Sequence, residues 1–170
     1  MSETQRYFTV TWEEMHRDTR ALVGHLLELD RTKQNGWKGL VAITRGGLVP
    51  AAIVARELEI RLIETVCISS YREEGGEVQG KLEVLKGVEN LGDGEGWLVV
   101  DDLVDTGVTL AALREMIPKA HFATIYHKPA GQPLVDSSVI GVSQDTWILF
   151  PWDLQPRSVE PMILDRGRQR

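Results

Sequence analysis

The chain has 170 residues, 42% of them apolar and 26% charged, and its 19 basic and 25 acidic side chains leave a formal charge of −6. That composition excludes a disordered chain and a coiled-coil rod, and the acidic balance argues against a surface built to bind nucleic acid. A single cysteine, Cys67, excludes an internal disulfide and a multi-thiolate metal site, and neither a membrane-spanning run nor a signal-like N-terminus is read, so a soluble, reduced, cytoplasmic protein is expected.

Thr11 ahead of Trp12-Glu13-Glu14 reads as a capping box, and Met15, Leu22, Leu26 and Leu29 recur behind it at helical spacing as far as Asp30. Residues 39–43 are a short apolar run of buried-strand type, stopped by Thr44-Arg45-Gly46-Gly47 before a helical pattern over 48–58. A β-branched run over 62–68 follows. Residues 72–81 hold three glycines and three glutamates, too little apolar surface for a core, and read as a mobile surface loop. A third strand over 96–100 runs into Asp101-Asp102 and a turn over 103–108. Helix is expected over 109–117, ended by Pro118, and a fourth strand over 121–127. From Gly131 to Pro161 the pattern becomes irregular, with four prolines, and reads as a flap. Continuous apolar strands alternating with helices predict an α/β fold. The expectation is one domain over residues 1–170: a mostly parallel twisted sheet with helices on both faces, and a small C-terminal hood over about 131–155.

The stretch from Leu98 to Thr109, LVVDDLVDTGVT, carries the chemistry. A buried strand delivers two adjacent carboxylates at its C-terminal end, where open α/β sheets bind ligands. The turn after it, with Asp105, Thr106, Gly107 and Thr109, opens a helix whose free N–H groups and hydroxyls would cup a phosphate. Carboxylates on one side and a phosphate cup on the other suit a sugar phosphate. Read piece by piece, the same residues are a helix cap and an acidic strand end. A Walker reading fails for want of G-x-x-x-x-G-K-[ST], and a receiver-domain reading because the acidic pair follows the third strand.

The combined string resembles the phosphoribosyl-pyrophosphate (PRPP) signature of the type I phosphoribosyltransferase family. Ala42–Pro50, Thr65–Tyr71, Lys128-Pro129-Ala130-Gly131 and Gln144-Asp145-Thr146-Trp147-Ile148 extend the likeness to the bacterial xanthine-guanine branch of that family, over roughly Tyr7 to Asp153. The resemblance implies transfer of a 5-phosphoribosyl group from PRPP to N9 of guanine or xanthine, with hypoxanthine a further candidate, and release of pyrophosphate. It implies that Asp101 and Asp102 hold the ribose hydroxyls, that Asp102 also serves Mg²⁺, and that Leu103 and Val104 continue the PRPP-binding stretch. Asp105 becomes the catalytic acid–base group at the purine N7, and Thr106, Gly107, Val108 and Thr109 cradle the 5-phosphate. The family pattern usually has Gly at position 108, where this chain keeps the backbone N–H but carries a valine.

By the same likeness Arg45 and Gly46 form the pyrophosphate loop, with a cis Thr44–Arg45 peptide bond. Lys128 reads the purine 6-oxo group, and Trp147 and Ile148 stack on the base and touch its 2-position. The family's loop arginine falls on Gly80, leaving Lys81 as the nearby cation for PRPP. A homotetramer and peripheral contact with a membrane are also implied, while the acidic balance speaks for no nucleic-acid partner. Taken alone, Lys128 would be a solvated charge, Trp147 a core aromatic and Cys67 a buried thiol. The rival readings are a PRPP-binding regulator of RNA or DNA, and a transferase for another base. The first would need a basic face; Lys128 opposes adenine, whose 6-amino group donates.

Overall fold

The computed structural model describes residues 6–30, 36–70 and 82–153. Strand β1 (Arg6–Thr9) leads into helix α1 (Trp12–Asp30), then β2 (Gly39–Thr44), α2 (Leu48–Glu57), β3 (Ile63–Ser70), β4 (Leu82–Lys86), β5 (Trp97–Val104), α3 (Val108–Met116) and β6 (His121–His127). A 3₁₀ turn (Gln132–Leu134), β7 (Ser137–Gly141) and β8 (Thr146–Leu149) follow. The main sheet has the order β4-β3-β2-β5-β6-β7, and all its pairings are parallel except β3 with β4. β1 and β8 form a separate parallel pair, with Tyr7 opposite Trp147 and Phe8 opposite Ile148.

The apolar strands are buried on both faces. In β2, Leu40 and Ala42 join a core with Met15, Leu22 and Leu26 of α1 and Val54 of α2, while Val41 and Ile43 turn to the opposite core with Leu110 and Leu113 of α3. β5 divides the same way, with Leu98 and Val100 to one side and Val99 to the other. Alternate side chains therefore serve different layers, which is why both strands read as unbroken apolar runs. Removing a fully buried side chain such as Leu98 would cost about 2–5 kcal/mol.

Helix α1 starts as its capping box requires. The Thr11 amide donates to Glu14 Oε2 at 2.8 Å, and the Glu14 amide donates to Thr11 Oγ1 at 3.2 Å. Those bonds hold the Glu14 carboxyl below its ordinary value, the Thr11 amide contributing most. Farther along, the buried Tyr126 hydroxyl donates to Asp18 Oδ2 at 2.7 Å, tying α1 to β6. Burial, reinforced by that acceptor, pushes the phenol far above its usual range.

Several boundaries differ from the sequence reading. β5 runs to Val104, because its ladder with β6 continues through Asp101–Thr124, Leu103–Tyr126 and Val104–His127; the acidic pair lies inside a strand and the turn is shorter than expected. The hood is not wholly irregular: β7 extends the main sheet beside β6, and β8 pairs with β1. Cys67 is half-buried, not buried. The loop over 72–81, with Lys81, and the hood's last positions, 154 and 155, lie outside the described residues.

Candidate active site

Topology sets the place of the site. β2 continues through α2 to β3 on one side of the sheet, and β5 through α3 to β6 on the other. The order in which strands are added thus reverses between the adjacent, parallel β2 and β5, and the crevice beyond their carboxyl ends is where such sheets bind ligands. Two of the expected loops meet there: Thr44–Gly47 after β2, and the acidic turn after β5.

The first loop carries the expected cis Thr44–Arg45 bond, and the Gly47 amide donates back to Ile43 O at 2.9 Å. Gly46 faces the Asp102 carboxylate so closely that a Cβ at position 46 would overlap it. The glycine lets the loop and the acidic strand touch. Arg45 is exposed beside this contact.

Asp101 and Asp102 are half-buried, each folded onto the next residue: the Asp102 amide donates to Asp101 Oδ1 at 2.9 Å and the Leu103 amide to Asp102 Oδ1 at 2.7 Å. Burial disfavours their ionised forms. It lifts Asp101 well above the usual carboxylate range, helped by the neighbouring Asp102 charge, and pushes Asp102 up to about 6. Two desolvated carboxyls side by side are a donor set that a divalent cation relieves. No cluster of three or more acidic, His or Cys ligands exists among the described residues. The pair therefore suits a Mg²⁺ ion whose coordination is completed by substrate oxygens and water, the ion's usual manner of binding.

The turn after β5 opens α3 through Gly107, whose φ of +83° lies in the left-handed region that only glycine adopts readily. A Cβ there would also strike the Leu134 side chain. No side-chain hydrogen bond caps the helix, so its first amides stay available for an anion. Val108, where a glycine is usual, opens the helix with its side chain exposed. Arg114 fixes Leu134 from behind: its Nε donates to Leu134 O at 3.0 Å and its Nη2 to Asp136 Oδ2 at 2.8 Å.

Asp105 stands at the mouth of this turn and is gripped from two sides. Lys128 Nζ donates to its Oδ2 at 3.0 Å, and Gln144 Nε2 donates to its Oδ1 at 2.7 Å. The Lys128 residue is 5% exposed, so its ammonium is committed to the site and does not trail in solvent. In β8 the alternation of the strand turns Trp147 outward, 54% exposed, and Ile148 inward, 5% exposed, into the core with Phe150. Trp147 thus offers a ring face, whereas Ile148 has only backbone to offer a ligand.

The structure therefore brings together Gly46 with Asp102, and Asp105 with Lys128. Leu103 and Val104 support the strand end, Val104 accepting the Lys128 amide at 2.9 Å. Gln144, Arg114 and Leu134 were missed. Gln144 stands in the Gln-Asp-Thr-Trp motif, three residues before Trp147, and a polar amide so close in sequence to an aromatic expected at the base is the available signal.

Residues 11–158 match the phosphoribosyl transferase domain. The chain belongs to the phosphoribosyltransferase family. It is 55% identical over 166 residues to the xanthine-guanine phosphoribosyltransferase of Desulfotalea psychrophila, covering 98% of this chain and 96% of that one. The Nitratidesulfovibrio vulgaris protein of the same name is 57% identical, with 96% of each chain covered. Among solved structures, the purine phosphoribosyltransferase of Pyrococcus horikoshii superposes with a TM-score of 0.73 at 24% identity, over 91% of this chain and 99% of that one. That likeness establishes the shared phosphoribosyltransferase fold, a mostly parallel sheet with helices on both faces.

Proposed function

We propose that this phosphoribosyltransferase moves the 5-phosphoribosyl group of PRPP to N9 of guanine or xanthine, with hypoxanthine as a further acceptor, and releases pyrophosphate. One observation carries the reading: an ammonium and a carboxylate, Lys128 and Asp105, are paired at the mouth of an uncapped helix start. The helix amides suit the 5-phosphate, and the pair suits the 6-oxo and N7 edge of a purine. Asp101 and Asp102 suit the ribose diol, and Arg45, with the amides of its loop, the diphosphate.

In this reading the N9 lone pair forms the bond to the sugar C1 as the C1–O bond to pyrophosphate breaks, and the N7 proton passes to Asp105. Asp105 is about half-exposed, and an ionised carboxylate has lone pairs beyond those facing Lys128 and Gln144, so it can accept from a base without releasing both. Lys128 donates to the 6-oxo group and eases the loss of the N7 proton as N9 attacks. Trp147 covers the ring face. Charge develops at C1 and on the leaving pyrophosphate, so fixed donors should dominate the acceleration. Mg²⁺, held by Asp102 with substrate oxygens, would supply charge neutralisation at the diphosphate.

Initial rates with guanine, xanthine, hypoxanthine and adenine at fixed PRPP and Mg²⁺ test this. An ammonium donor facing the 6-position should reject adenine by roughly 10⁴-fold. Adenine turnover equal to that of guanine, or no nucleotide from any 6-oxopurine, would overturn the reading. The resemblance also supports a homotetramer, to be checked by light scattering, and peripheral membrane contact through the arginines of residues 157–170, to be checked by sedimentation with anionic vesicles. No helix among the described residues is long and apolar enough to cross a membrane.

A further inference from the structure

We propose that Gln144 is a positioning residue for the transfer, holding the Asp105 carboxylate in register with the turn that leads into β8 and Trp147. The proposal rests on the assignment of Asp105 as the acid–base group.

Gln144 lies between β7 and β8, and its side chain leaves its own turn. Its Oε1 accepts the Ala130 amide at 3.0 Å, and its Nε2 reaches Asp105, 39 residues away in sequence, at 2.7 Å. The orientation of this amide is fixed by chemistry. A backbone N–H can only donate, so Oε1 must face Ala130; an ionised carboxylate can only accept, so Nε2 must face Asp105. A flipped amide would lose both bonds.

Ala130 belongs to the tight turn after β6, in which the Gly131 and Gln132 amides both donate to Lys128 O, at 3.1 and 3.0 Å. One glutamine therefore joins the turns after β5, β6 and β7. With Lys128 on Oδ2 and Gln144 on Oδ1, both carboxylate oxygens are held and rotation of the group is stopped. A glutamine that merely stabilised its own turn would have no reason to reach Asp105. Holding a reacting group within a narrow angular range is a large part of catalysis by positioning.

Gln144→Met keeps the length and removes both bonds; Gln144→Glu keeps the acceptor for Ala130 but sets a carboxylate against Asp105. Both are measured for kcat and KM with guanine, PRPP and Mg²⁺, in the wild-type and Asp105→Asn backgrounds, with melting temperatures. Gln144→Met should lower kcat about tenfold, and Gln144→Glu further, since bonds to charged groups carry the larger effects. The KM for PRPP should stay within about twofold. In the Asp105→Asn background either change should alter kcat less than about twofold, because a residue acting through Asp105 has nothing left to act on. Equal losses in both backgrounds, unchanged kcat in both variants, or a collapse of melting temperature in both would overturn the proposal. A wild-type chain inactive with every 6-oxopurine overturns the transferase reading and this proposal with it; an active chain indifferent to residue 144 overturns this proposal alone.

Discussion

Lys128 Nζ and Asp105 Oδ2 stand 3.0 Å apart, with 7% of the lysine side chain exposed against 49% of the aspartate. A cation and a carboxylate suited to a 6-oxopurine edge are bonded to each other, and the carboxylate is the more exposed of the two. In the proposed reading a base can share this solvent-facing partner without leaving the buried ammonium stranded.

Lys128→Met should therefore act on base selection. With the ammonium gone, the 6-oxo group loses a charged donor, which is worth roughly 10–100-fold. The KM for guanine should rise by that order while the KM for PRPP holds, and most of the roughly 10⁴-fold preference for guanine over adenine should be lost, because adenine no longer leaves a buried donor unpaired. Competition rates with the two bases measure this. An undiminished preference would remove Lys128 from the base site.

Asp102→Asn should raise the KM for PRPP and, in the ligand-free protein, raise stability at neutral pH. The folded-state value of Asp102, about 6, lies above its ordinary 3.8 because burial disfavours the charge. A carboxyl shifted upward by folding contributes its full stability below the ordinary value and loses it as the pH climbs through the folded one. The wild-type melting temperature should thus fall relative to the variant between about pH 4 and pH 7. A gap that narrows with rising pH would contradict the burial argument.

What the sequence shows of this molecule depends on how far apart the causes lie. β2, β5 and β6 are legible because burial on both faces writes each strand as one apolar run. The capping box at Thr11 and Glu14 is legible because its partners are three residues apart. The continuation of β5 beyond Asp101 and Asp102 is hidden, since a carboxyl pair reads as the strand's end and Leu103-Val104 as a turn until the ladder to Tyr126 and His127 is known. β1 is hidden too: all four of its side chains are exposed, and its partner β8 lies at the other end of the chain, Arg6 opposite Thr146. Within the site, the roles of Asp105 and Lys128 at a base are legible only through resemblance, and the tie from Gln144 to Asp105 only in space.

Gly107→Ala tests the phosphate cup without touching a charged group. Position 107 has φ +83°, and a methyl there also meets Leu134, which Arg114 holds in place. The left-handed backbone alone costs a non-glycine residue roughly 1–2 kcal/mol. The variant should melt lower, and the KM for PRPP should rise more than that for guanine, because the first amides of α3 are re-aimed. An unchanged KM for PRPP in a folded variant would separate this helix start from the 5-phosphate.

Asp105→Asn tests the acid–base assignment itself. Asparagine keeps the size and one acceptor oxygen, but its NH₂ cannot accept. Gln144 cannot turn its own amide to compensate, because Oε1 is committed to the Ala130 amide. Asn at 105 must therefore give up either the Lys128 bond or the Gln144 bond, and in both cases the negative charge that would receive the N7 proton is gone. General acid–base help is worth roughly 10²–10⁴-fold, and the fixed donors around the sugar and diphosphate remain, so kcat should fall by about 10². The KM for PRPP should hardly move, since the contacts proposed for Arg45, Asp101, Asp102 and the α3 amides do not involve residue 105. The measurement is kcat at saturating guanine on a variant whose melting temperature matches the wild type. A near-wild-type kcat would reduce Asp105 to an anchor for Lys128 and Gln144, and the proton would need another acceptor.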